Sequence, residues 1–173
     1  MSGVINLILR AFALLWTLLI TALIGNVIAS NVHSATSATA AINFTIFVAA
    51  LAWVVCLYGL AAAFFSSLAR PIIMLPLDIL GVLFTLVSAI VLAAKLHAID
   101  CGSIAHDNLP SNWIGFGSND NEKRCREIQA STVFMWFLWA CLCGSLFFTV
   151  KASRGAFGGS LRSSRPNMSQ VGV

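Results

Sequence analysis

The chain has 173 residues, 59% of them hydrophobic and 9% charged, with a mean hydropathy of +0.91. A soluble domain carries about 25% charge, and a body this small has too little polar surface to cover so many apolar side chains. A soluble enzyme, a disordered chain and a free nucleic-acid binder are therefore poor readings, and the net charge of +4 is better read as membrane topology and attraction to anionic lipid.

Crossing the hydrocarbon takes about 20 apolar residues in a helix, and lipid demands that backbone groups be satisfied within the segment. Four stretches qualify. The first covers 4–29 and is uncharged after Arg10. Arg10, the apolar run and Val27-Ile28-Ala29 before Ser30 also fit a signal peptide with a cleavage site. The run is long for such a leader, so an uncleaved helix is expected. The second span, 42–65, carries no charge. The third, 72–96, holds Asp78 inside it and Lys95 near its end. Pro71 suits its start, and Pro76 lies far enough inside to bend it. The fourth, 130–150, is uncharged. Alternating barrel strands are absent from the pattern. The expected architecture is an all-α integral membrane protein. Its four-helix domain covers 1–150, with outer loops at 30–41 and 97–129, and a flexible basic tail follows at 151–173.

Loop charges set the expected orientation. Four spans place both termini on one side, with Arg10, Arg70, Lys151, Arg154, Arg162 and Arg165. Opposite, loop 30–41 has no Lys or Arg, and Lys123, Arg124 and Arg126 sit among five carboxylates in loop 97–129. Lys and Arg favour the cytoplasm, so both termini are predicted cytoplasmic. Cys101 and Cys125 then fall on the oxidising side, where a disulfide is expected. Closing that loop is worth about 3 kcal/mol by loop-closure entropy. Cys56, Cys141 and Cys143 lie within spans and read as small packing residues. Zinc is disfavoured, because the loop cysteines lack CxxC partners.

An ionisable residue inside a span is a functional candidate by default. Asp78 lies about six residues into the third helix, roughly 9 Å deep, and Arg10 has a similar depth in the first. They are expected either to form an interhelical ion pair or to reach water separately, Arg10 by snorkelling to the headgroups. A proton relay through Asp78 lacks a chain of partners, for His33, His97 and His106 lie in or beside outer loops. His97, Asp100, His106 and Asp107 match no metal-binding spacing. No nucleophile, phosphate-loop or dinucleotide motif emerges, so neither catalysis nor a metal or other cofactor is expected.

Small residues four apart, Gly59 and Ala63, Ala89 and Ala93, Ala140 and Gly144, mark candidate close helix contacts. The sequons at Asn43 and Asn167 are set aside, one too near the membrane and one in the cytoplasmic tail. Arg10-Ala11-Phe12-Ala13-Leu14 fits the loose sterol-contact pattern. In the tail, Lys151, Arg154, Arg162 and Arg165 each gain about 1 kcal/mol near an anionic leaflet, and Phe157 offers an apolar anchor. Phosphorylation of Ser160, Ser163 or Ser164 would weaken that contact. The alternative is a tail that only solubilises.

The chain resembles the MARVEL-domain tetraspanners, and closely the fungal non-classical export protein 2 family. The resemblance rests on four helices with Pro76-Leu77-Asp78-Ile79-Leu80 opening the third, and on Arg124-Cys125-Arg126-Glu127-Ile128-Gln129-Ala130. It also rests on Gly155-Ala156-Phe157-Gly158-Gly159-Ser160 and the ending Gln170-Val171-Gly172-Val173. It implies a plasma-membrane protein of the furrow-like microdomains called eisosomes, which organises them and responds to sphingolipid status. Export of leaderless proteins is an older association. Cys101 and Cys125 match the family's outer-loop pair, and Asp78 its third-helix acid. No ligand-binding residue carries over. The partners so implied are membrane lipids (anionic, sphingolipid or sterol), eisosome scaffold proteins and a second copy of the chain, with no nucleic acid. The rival function is a small transporter or channel using Asp78.

Overall fold

Apolar runs with no other outlet for their backbone groups form four helices in the computed structural model. They are α1 (Ser2–Ala29), α2 (Thr36–Phe64), α3 (Pro71–Leu96) and α4 (Asn121–Arg162). The structure describes residues 2–31, 36–65, 68, 70–97, 100–102 and 113–162, with side chains described as far as Arg154. Among these there is no strand. All four helices are long and apolar enough to cross a membrane. Each helix packs against its neighbours in the chain, and α4 closes the ring against α1.

The packing seam recurs every 3.5 residues. On α1 it runs Arg10, Ala13, Thr17, Ile20, Ile24, Val27, all buried. On α2 it runs Ala38, Ala41, Thr45, Val48, Ala52, Val55, Gly59, Ala62. Alternating steps of three and four keep one face toward the neighbouring helices, the geometry of a bundle with a gentle left-handed coil. Small residues let the α2 backbone come close. Phe12, Leu18, Phe47, Leu57, Leu83, Ile90 and Phe147 face outward, where lipid replaces water as the solvent.

Polar seam residues point inward and bond at once to backbone. Thr17, Thr45, Thr85 and Thr132 each donate a hydroxyl to the carbonyl four residues earlier. Ser88 bridges α3 to α2 by donating to Thr45 Oγ1 at 3.3 Å. In lipid this inward turn is the low-cost placement, because an outward hydroxyl would meet only hydrocarbon.

The helix ends differ from the hydropathy boundaries. α2 begins at Thr36, ahead of position 42, and α4 begins at Asn121, ahead of 130. Asp120 explains the second case: its Oδ1 accepts the backbone N–H of Lys123 at 3.0 Å, an N-cap that starts the helix in polar sequence. Glu122 and Arg126, one turn apart, add an exposed ion pair. At the other end α4 runs past 150 to Arg162. Residues 151–162 are therefore helical rather than a flexible tail, while 163–173 lie outside the described residues. Hydropathy reports where the chain meets hydrocarbon; capping and backbone bonding decide where a helix stops.

The end where α1 stops and α4 starts is closed by a buried plug. Trp113 and Ile114 are buried, and the Trp113 indole N–H donates to Leu96 O at 3.1 Å, satisfying a carbonyl in the last turn of α3. His97 ends that helix in the left-handed region (φ 62°). Gly117 takes a φ of 111°, which side chains rarely adopt. Cys101 and Cys125 are disulfide-bonded, 24 residues apart in sequence, which ties the loop after α3 to the first turns of α4.

Candidate functional site

Arg10 is the first seam residue of α1, and Asp78 opens the seam of α3. The structure turns both inward, at 1% and 2% exposure. Arg10 Nη2 donates to both Asp78 oxygens, at 2.9 and 2.7 Å. Nη1 donates to Val55 O of α2 at 3.3 Å. From α4, the Thr149 hydroxyl lies 2.9 Å from Asp78 Oδ2 and 3.0 Å from Ser145 O. Its single proton serves one of these at a time. Gly59 completes the arrangement, since a Cβ there would overlap the Arg10 guanidinium. All four helices thus contribute to one polar knot at the end of the bundle that holds the N-terminus.

In this geometry Arg10 is paired with Asp78. A lone charge at the centre of the hydrocarbon costs about 3 kcal/mol on insertion scales. Pairing removes net charge, and Val55 O and Thr149 take up further bonding capacity. Such a knot fixes helix register more surely than it adds stability, because burying both charges is itself costly. Among the described residues the other buried charge is Arg124, at the opposite end.

Arg124 is a site that charge counting overlooks. Its Nε donates to Ile114 O at 3.1 Å, and Nη1 to Val27 O at 3.2 Å and Asn31 Oδ1 at 3.4 Å. Val27 O belongs to the last turn of α1, where carbonyls lack helical partners and a cation is favoured. Beside it, Asn26 Nδ2 donates to Glu127 Oε1 at 2.6 Å. Its sequence signal was its register: 124, 128, 131 and 135 continue the buried seam of α4.

The remaining candidates scatter. His97 is an exposed helix cap, and Asp100 Oδ1 accepts the Gly102 N–H. His33, His106 and Asp107 lie outside the described residues. Lys151 and Arg154 are exposed on α4. The side chains of Phe157, Ser160 and Arg162, and residues Ser163, Ser164 and Arg165, lie outside the described set. The small-residue pairs are not joint contacts. Ala63, Ala93 and Ala140 are exposed, while Gly59 and Ala89 are buried, because a seam of alternating threes and fours does not keep both members of such pairs inside. The sterol pattern also divides: Arg10 turns inward while Phe12 is half exposed on the outside.

The family profile described as MARVEL, membrane-associating domain, matches residues 3–148. The chain is 36% identical over 119 residues to Non-classical export protein 2 of Saccharomyces cerevisiae, covering 68% of this chain and 66% of that protein. It is 31% identical to Non-classical export protein 2 homolog 1 of the same yeast, over 98% of this chain and 97% of that one. It is 33% identical to Non-classical export protein 102 of Candida albicans, over 99% and 100% of the two chains. No solved structure matches.

Proposed function

Because the chain belongs to the MARVEL family of membrane-associating domains, we propose that this multi-pass protein organises plasma-membrane microdomains without catalysing a reaction. It acts through lateral lipid contacts and responds to sphingolipid composition. One observation carries the reading: large apolar side chains face outward along the bundle, while Arg10, Asp78, Thr17, Thr45, Thr85 and Ser88 are buried in its seam. Such a body interacts through its perimeter, where lipid composition acts. Both termini lie on the cytoplasmic side in this reading, where Arg70, Lys151 and Arg154 meet anionic lipid and the end of α4 meets scaffold proteins of eisosome type.

The test follows a fluorescently tagged chain in fungal cells while sphingolipid synthesis is inhibited. Patches that disperse or reform within the treatment support the reading. A uniform distribution, unchanged throughout, overturns it. A second reading, an export or transport factor, draws on the names of the yeast and Candida relatives and on Asp78. Solute flux in proteoliposomes that disappears with Asp78→Asn would favour it.

A further inference from the structure

Asn6 lies one turn before Arg10 on α1 and shares its face. Beside them is a cavity of about 410 Å³, lined also by Leu7, Gly59, Ala63 and Met74. Two polar atoms at this place have no hydrogen-bond partner among the described residues: Arg10 Nε and Asn6 Oδ1. The other guanidinium nitrogens are engaged, Nη2 by Asp78 and Nη1 by Val55 O. An unmet donor and an unmet acceptor on adjacent turns are costly in a membrane, where bulk water does not reach.

We propose that this cavity binds the hydroxyl of an uncharged membrane lipid. Both atoms are shielded at the cavity wall; with a small shift of the Arg10 and Asn6 side chains, one hydroxyl accepts the Arg10 Nε–H and donates to Asn6 Oδ1, meeting both needs with one group. A phosphate fits less well, because Asp78 already neutralises Arg10 and repels a second anion. Leu7, Ala63 and Met74 give the hydrocarbon beneath the hydroxyl an apolar wall, the mix of apolar lining and few polar groups typical of ligand sites. Both polar residues lie in the first three turns of α1, beneath the headgroups, at a depth that a lipid hydroxyl can reach. A sterol, a diacylglycerol and a ceramide share this chemistry. The site rests on the lipid-responsive reading above and gives it a contact. A lipid held by Arg10 touches the ion pair through which all four helices are joined.

The test uses the full chain in nanodiscs, with a photoactivatable sterol, diacylglycerol and ceramide in separate arms. Each unlabelled lipid competes against its own O-methyl ether. In at least one arm the label should fall on the segments holding Asn6, Ala63 and Met74. There the free hydroxyl should compete about tenfold better than the ether, the scale of one or two hydrogen bonds. Asn6→Leu should erase that difference, and Ala63→Leu should block labelling without changing the melting temperature. Equal competition by the ether in every arm, absence of labelling at these segments, or equal competition by phosphatidylserine would overturn the site. If patches in cells still respond to sphingolipid while the ether competes equally, the site falls and the microdomain reading stands. The reverse pattern retains the site and removes that reading.

Discussion

Replacing Arg10 by Met keeps a long side chain and removes the charge. Asp78 then retains the Thr149 hydroxyl but loses the two bonds from Nη2. Leaving one partner of a buried pair uncompensated costs about 3–5 kcal/mol, and a carboxylate within a span about 2.5–3.5 kcal/mol on insertion scales. Arg10→Met and Asp78→Leu should therefore each destabilise the bundle by about 3 kcal/mol. The double variant carries no buried charge, and apolar replacement of whole pairs is often neutral or stabilising. It should recover most of the loss; set against a summed loss of about 6 kcal/mol for the single variants, this gives a coupling of about 5 kcal/mol. Reversible unfolding in mixed micelles, followed by reaction of buried Cys56 with a thiol reagent, reads all four proteins. Additive losses in the double variant would show that the two charges do not depend on each other and would refute the reasoning.

Gly59→Ala should destabilise the native chain by about 1–3 kcal/mol through overpacking, and far less in an Arg10→Ala background, by the same unfolding assay. Removing the disulfide with Cys101→Ser and Cys125→Ser together should cost about 3 kcal/mol by loop-closure entropy, with reductant producing a comparable loss in the native chain. Arg124→Met should free the α1 terminus from α4, costing about 2–4 kcal/mol for lost charge-assisted bonds and speeding hydrogen exchange at residues 24–31 ahead of the rest of the bundle. With both termini cytoplasmic, an impermeant maleimide applied to intact cells should label Ser118→Cys and leave Ser2→Cys untouched; the opposite pattern would invert the topology.

The crossings were readable because hydropathy integrates over a whole span. Asp78 was readable because a charge stands out against an uncharged run, and Arg10 because its depth matched. Thr149, Gly59 and Val55 O were not, for none is charged and each acts only through register. The register itself was hidden by solvent: when lipid and core are both apolar, the two faces of a helix look alike. Threonine, serine, glycine and alanine at steps of three and four carried the signal, as in Ala38, Ala41 and Thr45 on α2. Arg124 was concealed differently. Counted among loop charges, it marked topology, while its place one residue before Cys125 put it inside the plug. The early start of α4 turned on a single cap, Asp120, which hydropathy does not weigh.

Arg10 precedes Asp78 by 68 residues, and this order constrains biogenesis. When α1 leaves the ribosome its only charge has no counterpart, and α2 offers just a carbonyl and a glycine. The early hairpin is thus held shallow, with Arg10 drawn toward the headgroups. Only the arrival of α3 lets that cation descend, and Thr149 comes later still from α4. Assembly is therefore gated by the third helix, and a chain interrupted before it should present an unpaired arginine to membrane quality control.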